Sequence, residues 1–162
     1  MAIVILGVGE IGVSNKPGDI IKTLALGSCI AVVLLEPRSR SVGMVHVALP
    51  ESSIDVKKAS LQPGYFADTG IIALFNEMKR IAGVQNERNF MAKIAGGAKV
   101  LDPNNAFNIG KRNELAIKKI LWAHGMGAHA EDVGGHITRS VSVDVDTGRV
   151  VIVSAGRGTW EI

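Results

Sequence analysis

Apolar positions along this chain recur with two periods, and each predicts a kind of element. Residues 2–6 form an apolar run ended by Gly7, and Ile20–Leu26 mixes apolar and polar positions; both read as extended. Between them, residues 7–18 carry Gly7, Gly9, Gly12, Pro17 and Gly18, which predict turns around a short extended piece. Residues 30–35 are apolar throughout, as in a buried strand, and 42–47 form the next strand. The polar turn Glu36-Pro37-Arg38-Ser39-Arg40 between them makes the two an antiparallel hairpin, and Pro50 ends it.

Beyond the hairpin the period changes. Ile71, Phe75, Met78 and Ala82 recur at helical spacing, so 68–81 reads as a surface helix with one buried stripe, Asp68 or Thr69 as N-cap and Gly83 past its end. Residues 90–95 form a strand stopped by Gly96-Gly97, and 113–122, with Leu115, Ile117, Ile120 and Leu121, form a second helix. In the tail, Val141, Val143 and Val145 alternate with polar residues, Asp146-Thr147-Gly148 turns the chain, and 150–153 returns as the hairpin partner. Strands outnumber helices and cluster toward both ends. The fold class is therefore α+β, helices packed on a mixed, largely antiparallel sheet, rather than regular βαβ winding.

Length and composition bound the function. The 162 residues, 20% of them charged, fit one domain spanning 1–162 without repeats or low-complexity linkers. Mean hydropathy is +0.26, but no apolar run approaches the roughly 20 residues of a membrane-spanning helix, and the N-terminal run lacks a basic flank and is broken by Gly7 and Gly9. These features predict a cytoplasmic protein that does not enter the membrane. One cysteine excludes an internal disulfide framework and a multi-thiolate zinc site. The net charge of +3 is uneven: residues 57–119 hold 11 Lys/Arg against 5 Asp/Glu. Aromatics at 4% of the chain leave few stacking platforms for nucleic acid, so an acidic protein is the better partner for the basic region.

Three patterns bear on chemistry. Gly7-Val8-Gly9-Glu10-Ile11-Gly12 satisfies the dinucleotide fingerprint, yet Pro17-Gly18 leaves no room for the helix that would receive a pyrophosphate. His124, His129 and His136 are spaced unlike helix-borne metal ligands and read as solvent-exposed loop histidines. The third pattern is Cys29, just before the buried strand, and His46, near the end of the next. A four-residue hairpin loop makes paired positions sum to 77, which sets Cys29 against Ala48 with His46 as its same-face diagonal neighbour. A two-residue loop sets Cys29 directly against His46. Either even loop puts thiol and imidazole on one face, where the imidazole can take the thiol proton and hold the thiolate as an ion pair. Gly27 and Ser28 allow close approach of substrate, and backbone N–H groups around Cys29 are candidates to bind an oxyanion. Thr23 is a candidate to orient His46, through its hydroxyl or its main-chain carbonyl. The competing reading makes Cys29 a small buried hydrophobe and His46 a satisfied strand histidine.

At these residues the chain resembles the CheD family of chemoreceptor glutamine deamidases. The likeness runs through Thr23-Leu24-Ala25-Leu26-Gly27-Ser28-Cys29, Val45-His46-Val47-Ala48-Leu49-Pro50, Phe66-Ala67-Asp68-Thr69-Gly70-Ile71, Lys93-Ile94-Ala95-Gly96-Gly97-Ala98, Ile109-Gly110-Lys111-Arg112-Asn113 and Glu131-Asp132-Val133-Gly134-Gly135. It departs at Ala25, where a glycine is expected, and at His136, where a smaller amide residue is expected. The resemblance implies a catalytic set of Cys29, His46 and Thr23 in an α/β sandwich related to bacterial toxin deamidases, with no metal and no cofactor. It implies conversion of receptor glutamine to glutamate in chemotactic adaptation, with receptor cytoplasmic helices as substrate and a CheC-type phosphatase as regulator. A protein of another class with the same likeness would be a non-catalytic adaptor for that phosphatase or for the receptor.

Overall fold

The two faces of one central strand set the layers of the molecule. A computed structural model describes residues 1–99 and 107–162. In it the all-apolar segment Ile30–Glu36 (β4) is buried along its whole length. Ile30, Val32 and Leu34 face helices, whereas Ala31, Val33 and Leu35 face a second sheet. A strand covered on both sides needs no polar alternation, which is why this run is apolar at every step.

The sheet containing β4 also holds Ile11–Ser14 (β2), Ser41–Val47 (β5), Met91–Gly96 (β6) and Ala128–Val133 (β7), in the order β2-β5-β4-β6-β7. The other sheet orders Ile3–Leu6 (β1), Ile20–Leu26 (β3), Arg139–Asp144 (β8), Val150–Ser154 (β9) and Gly158–Glu161 (β10) as β1-β3-β8-β9-β10. Each is mixed: β1 with β3 and β6 with β7 run parallel, and the other neighbours antiparallel. The helices Ala67–Ala82 (α2) and Ile109–Ala123 (α3) cover the outer face of the first sheet, bringing Ile71, Leu74, Phe75, Met78, Ile117 and Leu121 onto it. The layers are thus helices, sheet, sheet. A shorter helix, Val56–Leu61 (α1), lies between β5 and α2 in the chain. The α+β class is as the sequence predicts, with two sheets in place of one. Much of the basic region falls on the helices, including Lys57 and Lys58 of α1 and Lys111, Arg112, Lys118 and Lys119 of α3.

Several boundaries differ from expectation for local reasons. The N-cap of α2 is Phe66, not Asp68 or Thr69; Asp68 sits in the first turn and accepts from Ser52 N at 2.9 Å and Ser52 Oγ at 2.7 Å, tying down the connection from β5. Gly83 caps the helix in the left-handed region, as its place in the sequence predicts. The second helix starts at Ile109, four residues early, and Leu115 points to solvent while Asn113 takes its place in the buried stripe with Ile117 and Leu121. His129 lies on β7 rather than in a loop, and His124 is half-buried, its Nδ1 2.7 Å from Glu87 Oε1 and its ring against Phe75.

Candidate active site

The hairpin register settles which of the two loop lengths is used. Glu36 pairs with Ser41, Ala31 with His46 and Ile30 with Val47, so paired positions sum to 77 and the loop is 37–40. The ladder ends one step short of Cys29; its register, continued, sets Cys29 against Ala48, and Cys29 packs on the same inter-sheet face as Ala31, the partner of His46. That face looks into the space between the sheets, where Cys29 packs half-buried against the inter-sheet core.

His46 is held from three directions. Its N–H donates to Glu10 O at 3.2 Å, and its carbonyl accepts from Gly9 N at 2.8 Å. Its ring Nδ1 lies 2.7 Å from Thr23 Oγ1, which reaches across from β3 in the other sheet. The Thr23 hydroxyl has one proton and gives it to Leu6 O at 2.8 Å, so Oγ1 can meet Nδ1 only as an acceptor. The neutral imidazole therefore carries its proton on Nδ1 and presents a bare lone pair at Nε2. Nε2 is buried and has no hydrogen-bond partner among the described residues. This is the tautomer required of a base. No hydrogen bond joins Cys29 Sγ to Nε2.

The glycine-rich motif leads into the part of the chain that supports His46. A strand, β2, follows it rather than a helix, and the turn it forms supplies both backbone bonds to His46. Gly9 adopts φ +80, which favours glycine.

Burial disfavours charge on both members of the pair. It pushes the Cys29 thiol above its ordinary value, only partly offset by the residue's own N–H, and lowers the His46 imidazole against the opposing pull of the Glu10 carboxylate. Desolvation penalises thiolate and imidazolium alike and so favours thiol and neutral imidazole over the ion pair.

The segment before Cys29 is pinned carbonyl by carbonyl. Gly27 O accepts from Ala98 N at 2.8 Å, Cys29 O from Gly97 N at 2.9 Å, and Ser28 O from Asn113 Nδ2 at 3.0 Å. A side chain at Gly96 would run into the Cys29 carbonyl, which explains a glycine where β6 passes under the loop. Among the described residues, no acceptor engages the N–H groups of Gly27 or Ser28. Asn113 was not picked out by sequence reasoning about chemistry. Its signal was a polar residue four positions before Ile117 on an apolar helical stripe. Among the described residues no group of three or more His, Cys, Asp or Glu is placed to hold a metal ion.

The family model described as CheD chemotactic sensory transduction matches residues 48–154. A protein of Syntrophotalea carbinolica named a probable chemoreceptor glutamine deamidase CheD is 54% identical over the full length of both chains. The chemoreceptor glutamine deamidase CheD of Thermotoga maritima is 41% identical over 95% of this chain and 93% of its own. With a family model over most of its length and relatives of this identity aligned nearly end to end, the chain belongs to the CheD family.

Proposed function

We propose that this chain is a deamidase domain that converts glutamine side chains on the cytoplasmic helices of chemoreceptors to glutamate. The observation that carries the reading is the Thr23–His46 bond, which leaves Nε2 as a bare base on the face of Cys29. In the reaction Nε2 takes the Cys29 proton as sulfur attacks the side-chain amide carbon. The sulfur–His46 approach tightens with substrate in place, as catalytic hydrogen bonds commonly do. The developing oxyanion is met by N–H groups of the Gly27–Ser28–Cys29 segment. His46 then returns the proton to nitrogen, ammonia leaves, and a thioester remains. Water, deprotonated by the same Nε2, breaks the thioester; glutamate is released and the thiol regains its proton. Every step is carried by this chain's own groups and water.

Two further elements belong to the reading. The basic helical layer favours approach of an acidic helical bundle, and the family resemblance supplies a CheC-type phosphatase as regulator. Among the described residues no helix is long and apolar enough to cross a membrane, which fits a cytoplasmic enzyme acting on the inner part of a receptor. The test is incubation with a purified receptor cytoplasmic domain and mass-spectrometric mapping of Gln-to-Glu conversion. Wild-type protein should convert specific sites and Cys29→Ala none. A Cys29→Ala protein as active as wild type would sink the mechanism, and wild-type protein that binds the receptor domain without converting it would make the chain an adaptor.

A further inference from the structure

Asn113 is fully buried on the inner stripe of α3, and its amide is used at one end only. Nδ2 donates to Ser28 O and to Ala48 O, both at 3.0 Å, whereas Oδ1 is buried without a donor among the described residues. The two carbonyls it joins belong to Ser28, just before Cys29, and to Ala48, just after the last residue of the hairpin ladder, Val47. A side chain serving stability alone would gain by having its second end satisfied, so an amide that leaves Oδ1 orphaned to hold these carbonyls calls for another explanation.

The geometry of the peptide unit supplies it. Ser28 O and Cys29 N–H belong to one peptide, and no cis bond is present, so the two point in opposite directions. Asn113 draws the carbonyl toward α3, on the helical side of the hairpin sheet, while the Cys29 side chain packs on the other side, between the sheets. The N–H of Cys29 is thereby turned toward the side of its own sulfur. Resting on the deamidase reading, we infer that Asn113 is a positioning residue that fixes the plane of the Ser28–Cys29 peptide, so that the Cys29 N–H is aimed at the oxyanion formed when Cys29 attacks a substrate amide. Ala98 N does the same for the neighbouring peptide through Gly27 O.

This role separates two chemistries of one thiol. Alkylation by iodoacetamide forms no oxyanion and needs only the sulfur, whereas deamidation needs both. Asn113→Ala should lower kcat for receptor glutamine at least about 10-fold, with KM within about twofold of wild type, because the lost interaction acts only in the transition state. The rate of Cys29 alkylation and its pH dependence should stay as in wild type. Asn113→Leu, which keeps the branched outline without the donors, should behave alike if truncation unfolds the chain. A folded variant with wild-type kcat would overturn the inference. So would losses of kcat and alkylation in equal proportion to the folded fraction, or failure of both variants to fold, since Asn113 would then be structural only. Wild-type protein that leaves glutamine unconverted, or Cys29→Ala that converts it, would refute the deamidase reading itself.

Discussion

Thr23 fixes the tautomer of His46 across the gap between the two sheets. The hydroxyl that gives its proton to Leu6 O can only accept from Nδ1, and the proton inventory of one side chain thereby decides which imidazole nitrogen is the base. Thr23→Val keeps the shape and removes the hydroxyl. We expect a fall of about 100-fold or more in deamidation, in the range of a lost acid–base function, and a stability loss of about 1–3 kcal/mol from two buried groups left unpaired. Thr23→Ser should retain most activity. Equal activity of the valine variant would mean that the hydroxyl does not orient the ring.

The pH behaviour follows from burial. The imidazole is lowered, so the neutral base persists to more acid pH than an ordinary histidine, and the rate should fall only well below about pH 6.5. The thiol is raised, so iodoacetamide should label free Cys29 with a rate that climbs at higher pH than for free cysteine. Labelling that saturates in the acid range would establish a resting ion pair and overturn this account.

Ala25 holds φ +54 where β3 shifts register between Thr23 and Leu26. A left-handed non-glycine residue costs about 1–2 kcal/mol, while glycine costs about 0.4–1 kcal/mol through the unfolded chain. Ala25→Gly should therefore be as stable as wild type or better by up to about 1.6 kcal/mol, measured by urea midpoints. A loss of stability would show that the bulge is not strained.

Glu87 is held at about 2 by the His124 ring, a backbone N–H and Lys79. A depressed carboxylate gives stability that is whole above its unfolded value near 4.5 and lost as pH falls toward 2. Glu87→Gln should be less stable than wild type at neutral pH, with the gap closing across that window. A gap that stays constant down to pH 2 would remove Glu87 from acid unfolding.

The sequence by itself determined the elements whose patterns are local. The apolar run of β4, the alternation of Val141, Val143 and Val145, and the helical stripe of α2 each state their burial within a few residues, and the turn Glu36–Arg40 marked the hairpin, whose even register, with Cys29 and His46 on one face, the structure then decided. It did not show that β7 would join β6 in parallel, because Glu131 and its neighbours gain their place from partners far back in the chain, nor that β10 would fold back on β9 as an edge strand, because the polar positions Thr159 and Glu161 state no buried face. The division into two sheets, too, follows from which face each strand buries against the other. Most of all, tertiary structure decided how the site is supported. Thr23 meets His46 from the opposite sheet, Asn113 meets Ser28 from a helix 85 residues away, and the preference for a neutral pair comes from desolvation that only the assembled layers impose. Spacing can place two side chains on one face; only packing can choose the proton each carries and the direction in which a peptide bond points.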